Sequence, residues 1–469
     1  MRDLSWPRPL SAIGARLLSF QYFLERSERL PIQEFYRYQS AQVYRIARSA
    51  HSECPFYQRR IPLRELADPR TAAAAWSAIP LLKRTDLQEN IEAITSRSLS
   101  KLKGPFHKQF TSGSSGMPVM VLSTPATRLA WSALTVREHL WHERIATGSL
   151  AVIRAVSTNK ATSTGEVRSH WASPVAAIVK TGPSYVLDIK SSVDEQIAFL
   201  KKHKPDYLLT YPSILIELAR AVRRGELELP HLKQARTFGE ILAPYARTEI
   251  ESTLKSTVAD VYSAEEVGYI AVQCPVSGLY HVQGENVLIE VLDDQGERCP
   301  TGHVGRIVIT SLWNRATPLI RYEIGDFAEV GPRCSCGRKL PTLSRIIGRS
   351  RNLLVLPDGR RVWPMPLADP SAENSLKQLP PLRQFQVIQR SLHRVEVRLV
   401  VPRPLSEPEQ ARIREYVQAM LKHPFEVDLA FVDQIPRGSG CKFEDFICSI
   451  EDETPTFAAK PQFPDDLTG

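Results

Sequence analysis

From Thr111 to Gly116 the chain carries only hydroxyls and glycines: Thr111, Ser112, Gly113, Ser114, Ser115 and Gly116. Glycines let a backbone turn sharply and come close to a ligand. Successive N–H groups in such a turn form an anion nest, and the hydroxyls add donors. This chemistry suits a loop that holds a triphosphate. A flexible surface loop is the plain alternative, since Gly/Ser-rich pieces are common connectors. It is not a Walker loop, because Met117-Pro118 follows it and no Gly-Lys-Ser/Thr stands at the required spacing.

Acids and one lysine stand further along. Glu266 closes Tyr262-Ser263-Ala264-Glu265-Glu266 after an apolar run. A carboxylate facing a phosphate loop is a natural Mg²⁺ ligand, and a solvated surface acid is the alternative. Asp326 follows Gly325 in Arg321-Tyr322-Glu323-Ile324-Gly325-Asp326. It could accept two ribose hydroxyls, or simply belong to a Gly-Asp turn. Lys442 lies in the loop Arg437-Gly438-Ser439-Gly440-Cys441-Lys442. An ammonium with three donors suits charge developing between a carboxylate and a phosphate, although a loop lysine is commonly just solvated. Cys334-Ser335-Cys336, with Cys274 and His281 upstream, offers three thiolates and an imidazole. Zinc favours such a set in closed tetrahedral sites, and ordinary thiols are the alternative.

The elements that must position these groups can be read from periodicity. Residues 1 to about 100 are mainly helical, with Phe35, Val43, Ile46, Ala47 and Ala50 on one face. Thr85 is placed to cap a helix after Leu81-Leu82-Lys83-Arg84. Thr124-Pro125 opens another helix, carrying Trp131 and Trp141. From Leu150 strands alternate with helices: 151–156, 185–189, 207–210, 235–238 and 258–262 as strands, 193–202, 213–223 and 244–254 as helices. That alternation predicts an α/β body with a mainly parallel sheet covered by helices. Ligands of such sheets bind beyond the carboxyl ends of strands, where Gly239-Glu240 and Tyr262 to Glu266 fall. Runs at 287–291, 306–310 and 319–322 predict a smaller β subdomain at about 281–348. We therefore expect a large domain, 1–348, and a small α+β domain, 349–469. The latter is a hairpin (384–389 and 395–401), a helix opened by the Ser406/Glu409 capping box, and a strand at 427–432.

The totals narrow the function classes. A chain of 469 residues, 43% hydrophobic and 24% charged, is globular and holds two or three domains. The net charge of +9 is a modest surplus of 60 basic over 51 acidic residues and has no nucleic-acid signature. Seven cysteines, an odd and uneven set, argue against a secreted disulfide framework. Pro7, Pro9 and Arg16 interrupt any signal-like run, and no stretch reaches membrane-spanning length. The default is a cytoplasmic protein with no membrane partner.

Taken in order, the hydroxyl-rich loop, Gly-Glu, Tyr-x-x-x-Glu, Gly-Asp, the Gly-Arg boundary and the terminal Gly-x-Lys resemble the adenylate-forming superfamily of acyl-CoA synthetases. The pattern is most similar to the phenylacetate–CoA ligase and CapK-like branch. It extends from about Pro55-Phe56-Tyr57 to Ile450, and its most specific stretches are Tyr262 to Pro275 and Pro318 to Asp326. The resemblance implies that Thr111 to Gly116 hold phosphate, that Gly239 and Glu240 line the adenine, and that Tyr262 stacks near the base. Glu266 would hold Mg²⁺, Asp326 and Arg349 the ribose hydroxyls. Arg351 would mark the hinge of a mobile terminal domain, and Lys442 would be the adenylation lysine. Cys274, His281, Cys334 and Cys336 match the zinc ligands of this branch. Ser263 and Glu265 depart from its usual Gly and Ser/Thr.

The function so implied is an AMP-forming acid–thiol ligase: ATP activates a carboxylic acid as an acyl-adenylate, and coenzyme A takes the acyl group. An alternative passes the acyl group to an amine or hydroxyl in glycan or metabolite biosynthesis. A third reading, motivated by Ser263 and Glu265, is a non-catalytic nucleotide-binding homologue. Trp131, Trp141 and Trp171 are pocket candidates for an apolar or aromatic acid, and the sequence leaves a homodimer open.

Overall fold

The computed structural model describes residues 10–102, 104–110, 119–156, 165–171, 173–349, 353–359, 361–362, 379–380, 382–437 and 443–450. Helices α1 (Ala12–Ser27), α2 (Ile32–Glu53), α3 (Leu63–Ala67), α4 (Ala72–Ser77) and α5 (Arg84–Ile94) come first. A hairpin of β1 (His107–Phe110) and β2 (Met120–Ser123) follows. Then comes α6 (Pro125–Trp141), capped by the Thr124 hydroxyl, which accepts from the Thr127 N–H, with Pro125 in the first turn. Helix α5 begins one residue before Thr85. The Asp86 carboxylate accepts from the Lys83 N–H at 2.8 Å and takes over the capping expected of Thr85.

The alternating region gives β3 (Leu150–Arg154), β4 (Glu166–Arg168), α7 (Ser173–Ala176), β5 (Ser184–Asp188), α8 (Val193–His203), β6 (Tyr207–Thr210), α9 (Pro212–Arg223), β7 (Gln234–Phe238), α10 (Pro244–Leu254) and β8 (Thr257–Ala264). Strands β5, β3, β6, β7 and β8 run parallel. Their apolar faces close on α8, α9 and α10 through Leu208, Ile214, Leu218 and Ile250. The chain then turns antiparallel: β9 (Gly268–Gln273), β10 (Tyr280–Val282), β11 (Val287–Leu292), β12 (Val304–Ser311), β13 (Tyr322–Val330) and β14 (Thr342–Arg349). Their core, with Ile270, Ile309 and Tyr322, packs on Ala50, Tyr57 and Leu82 from the N-terminal helical region.

Two expectations change here. The β-rich region is not a separate sheet. Among the described residues one sheet of order β11-β12-β13-β14-β10-β9-β8-β7-β6-β3-β5-β4 runs through both parts, parallel from β5 to β8 in the α/β body as expected and antiparallel in the β-rich part. Residues 319–321, read as strand, lie outside β13. Arg321 has φ +50 and its buried guanidinium binds Glu290 and the carbonyls of Ser77 and Ile79, which competes with extended backbone.

The antiparallel half also curls. Four strand steps separate β8 from β13 in the sheet, about 19 Å if it lay flat. Yet the Tyr262 hydroxyl donates to Asp326 Oδ2 at 2.8 Å. The weakest pairing on that path is at β10, which meets β14 only through Tyr280–Leu343 and His281–Thr342, and we place the crease there.

The terminal domain comprises β15 (Leu354–Val355), β16 (Arg361–Val362), β17 (Gln384–Gln389), β18 (Arg394–Val400), α11 (Glu407–Leu421), β19 (Glu426–Phe431) and β20 (Phe446–Cys448). Its core of Val387, Val395, Val397, Ile413, Val417 and Phe425 is its own. The hairpin, capping box and third strand stand as expected, and β20 adds a fourth strand parallel to β17.

Candidate active site and a cysteine–histidine cluster

The curl brings three predicted residues together. Asp326, after Gly325 on β13, pairs in register with Arg349 on β14, whose Nε is 3.6 Å from Asp326 Oδ1. Tyr262, on β8, donates to the other carboxylate oxygen. Burial, reinforced by the Asp326 charge, raises the Tyr262 phenol well above its usual range, so it stays protonated and donating.

Glu266 lies in the turn between β8 and β9 and is buried. Burial raises its carboxyl; Arg84 and Arg349 oppose this and Asp326 adds to it. Glu266 and Asp326 therefore feel one another across the same space. Arg84 Nη1 stands 4.0 Å from Glu266 Oε1. Sequence reasoning missed Arg84 as a site residue, and only the helix start at Lys83-Arg84 pointed near it. After Glu266 the chain turns through Gly268, φ +73, where a Cβ would fall 2.4 Å from the Trp131 indole. Trp131 therefore packs on the backbone just after Glu266. Trp141 and Trp171 are core instead: Trp141 Nε1 donates to Glu28 and Trp171 Nε1 to the Gly148 carbonyl.

Gly239, φ +78, ends β7 and leads into Glu240. The Glu240 carboxylate accepts from the Ser213 N–H (3.0 Å), Arg437 Nη1 (3.1 Å) and the Phe443 N–H (2.6 Å). Arg437 and Phe443 belong to the terminal domain and flank Lys442 in sequence. Glu217 Oε1, accepting from Gln384 at 2.7 Å, makes a second contact between the lobes. Thr111 to Gly116, Arg351 and Lys442 lie outside the described residues. Strands β1 and β2 end on either side of that hydroxyl-rich stretch, and the Leu122 N–H is anchored on Thr317 Oγ1 at 3.1 Å.

At the other end of β9 is the second candidate site. Cys274 follows β9, His281 is on β10, and Cys334 and Cys336 are in the β13–β14 connection. Their sulfur and nitrogen atoms all lie within 4.8 Å of one another. Cys274 and Cys334 sulfurs are 3.7 Å apart, and His281 Nε2 is 3.2 Å from Cys336 Sγ. Burial lowers His281 to about 4, which keeps the imidazole neutral and able to ligate. Three sulfurs and one neutral imidazole at this separation fit zinc by donor chemistry. The His281 ring also meets Trp141 edge-on at 5.6 Å, tying the crease to α6.

Comparison with known proteins agrees with this architecture. Residues 370–449 match the CapK C-terminal domain family. The chain is 24% identical over 327 residues to a phenylacetate-coenzyme A ligase of Pseudomonas putida, covering 67% of this chain and 70% of that one. It is 22% identical over 440 residues to a phenylacetate-coenzyme A ligase of Escherichia coli K12, covering 89% and 95%. Among solved structures, 2-hydroxyisobutyryl-CoA ligase in its postadenylation state superposes with TM-score 0.70 at 20% identity, covering 97% and 95%. The same ligase in its thioesterification state superposes with TM-score 0.57 at 21% identity. No described helix is long and apolar enough to cross a membrane.

Proposed function

We propose that this chain, a homologue of the phenylacetate–CoA ligases with a CapK C-terminal domain, is an AMP-forming acid–CoA ligase. A carboxylate oxygen of the acid attacks the α-phosphorus of ATP and diphosphate leaves. The coenzyme A sulfur then attacks the acyl carbon, and AMP leaves. The observation that carries this reading is the convergence of Tyr262, Glu266, Asp326 and Arg349, with Arg84, in a body whose core also holds Val119 and Val121 from the chain just after the hydroxyl-rich loop.

Asp326, steadied by Tyr262 and Arg349, accepts the ribose hydroxyls. Thr111 to Gly116 hold the phosphates, Gly239 lines the adenine, and Tyr262 sits near the base. Glu266 is the carboxylate that would hold Mg²⁺, whose chemistry is to neutralise phosphate charge. The Glu240 carboxylate links the adenine wall to the chain on both sides of Lys442. Lys442 balances the charge that develops between acid and phosphate, Arg351 is the hinge, and catalysis is positioning plus electrostatics. Cys274, His281, Cys334 and Cys336 would hold a structural zinc, with no open position for substrate. A cytoplasmic location completes the reading.

A second reading differs only in the acceptor, an amine or hydroxyl in place of the coenzyme A thiol. A diphosphate-release screen over aromatic and short-chain acids, with and without coenzyme A, tests both. Acid-dependent release with a thioester product is the expected result; release with no thioester selects the second acceptor. Lys442→Ala should lower adenylation by about a hundredfold or more at unchanged melting temperature. Release with none of the acids, or full acyl-adenylate formation by that variant, overturns the proposal.

A further inference from the structure

Between α1, α2 and the start of α6 lies an open cavity of about 1280 Å³. Its charged lining has one sign: Arg16 from α1, Arg45 and Arg48 from α2, Arg128 from α6 and Arg315 from the β12–β13 connection, with no aspartate or glutamate. Among the described residues none of these five arginines is paired with a carboxylate. The whole chain has a surplus of only nine positive charges, so five uncompensated ones around one space is a marked concentration. Their mutual repulsion is relieved by a bound anion.

Two further features point the same way. Helix α6 opens onto the cavity through Thr124, Pro125 and Ala126 and has no acid in its first turn, so its positive end is not neutralised locally. Arg315 is held in place, its Nε donating to Ser49 Oγ at 3.1 Å. Between the arginines the lining is apolar: Ile13, Leu17, Leu129, Leu312 and Trp313. The volume exceeds the roughly 300–1,000 Å³ of common small-molecule sites and is far more than a lone phosphate fills.

We propose that this cavity is a second binding site, for a phosphate-bearing amphiphile: one or more phosphates on the arginines, an apolar chain along Ile13, Leu129 and Trp313. It is separate from the adenylation site. It opens at the His107 and Thr124 end of the β1–β2 hairpin, whereas the hydroxyl-rich loop is at the other end. Helix α6 divides the two, with Ser132 facing this cavity and Trp131 facing Gly268. The assignment does not depend on the reaction proposed above.

The test uses the full chain and dodecyl phosphate below its micelle concentration, titrated calorimetrically beside inorganic phosphate and ATP. Two variants are compared: Arg45→Glu with Arg48→Glu, which reverses charge at exposed positions, and Ser132→Trp, which narrows the space beside Leu129 without altering charge. Dodecyl phosphate should bind more tightly than inorganic phosphate and weaken by about tenfold or more in both variants, with ATP binding unchanged. Vesicles of phosphatidylcholine with and without phosphatidic acid distinguish the source. Co-sedimentation that needs phosphatidic acid and is lost in the variants identifies a bilayer lipid; dodecyl phosphate binding without co-sedimentation identifies a soluble phosphorylated molecule. Equal dodecyl phosphate affinity in wild type and both variants, or no preference over inorganic phosphate, overturns the proposal. Loss of acid-dependent diphosphate release bears on the adenylation reading alone.

Discussion

Strand β9 joins two sites that treat charge in opposite ways. At its end sit Cys274, His281, Cys334 and Cys336, whose donor atoms all turn toward one another. At its start sits Glu266, whose ion pair with Arg84 spans 4.0 Å. Six residues at about 3.3 Å each put roughly 20 Å between them. The first group closes on itself at the crease of the sheet, where a fastener is useful. The second leaves a buried acid incompletely neutralised, beside Asp326, where the two arms of the curl meet. On the proposed reading the first would be a structural site that saturates its own valences, and the second a reactive one that holds them open for a ligand. The same curl serves both, since bending at β10 is what carries Asp326 to Tyr262.

The largest test of that contrast is to open the closed end. Metal analysis of the purified chain should give one zinc, and chelation or Cys334→Ser with Cys336→Ser should remove it. Structural zinc sites contribute on the order of 10 kcal/mol, comparable to the whole stability of a domain. The melting transition should therefore collapse, with Tyr262 and Asp326 separating as a consequence. A chain that purifies without metal and melts unchanged with chelator would show that the four donors are ordinary thiols and a histidine.

Neutralising the open end should do the reverse. Glu266→Gln is expected to lower adenylation by about 10²-fold, near 3 kcal/mol of barrier, with little change in melting. The sign follows from burial. A carboxyl raised in the folded state gives stability that is full below its ordinary value and fades as pH climbs through the raised one. At neutral pH the buried charge is a liability, so the amide is neutral or stabilising. A variant that melts much lower while keeping its rate would reverse the roles of the two ends.

The sequence made one end of this contrast easier to read than the other. Local signals were sound: the Thr124-Pro125 cap, the Ser406/Glu409 box and strand β6 depend on neighbours in the chain. Glu266 and Asp326 were legible because their order along the chain is specific. What could not be read was long-range. Arg84 reaches Glu266 only because α5 packs on β13, and Leu82 bridges to the same strand at Tyr322. Arg321 leaves the extended conformation for partners some 240 positions away. Trp141 and Trp171 are pocket candidates by sequence, yet their indole N–H groups are spent on Glu28 and the Gly148 carbonyl in the interior. The crease itself has no local signature, because it results from how few residues β10 shares with β14.

A finer test asks whether the arms of the curl are held apart or together by the site. Tyr262→Phe removes the hydroxyl that bridges β8 to Asp326. A hydrogen bond to a charged acceptor is worth about 1.5–3 kcal/mol, and part of it is recovered by water in the cleft. The expected result is an ATP KM raised severalfold with kcat less affected, read from diphosphate release at varied ATP. A loss confined to kcat would place Tyr262 in the chemical step instead.

The smallest effect belongs to a third acid, where the body meets the terminal domain. Asp445 sits beside Glu240, Arg220 and Arg437, with Glu217 across the same small cavity. Burial, with Glu240 adding to it and the two arginines opposing it, raises Asp445 to about 7. In the docked state the proton is held more tightly than in an undocked one, where the carboxyl is ordinary. Docking is therefore favoured while Asp445 is protonated and weakens as pH rises through neutrality. Because the side chain is only half-buried and both arginines are near, the effect should be roughly 1 kcal/mol. A spin-label distance between α9 and α11, measured in mildly acidic and mildly alkaline buffer, should show the docked population falling severalfold. Asp445→Asn should remove that pH dependence and leave the lobes docked at both. An identical pH profile in the variant would assign the switch to Glu217, the other acid that burial raises at this junction.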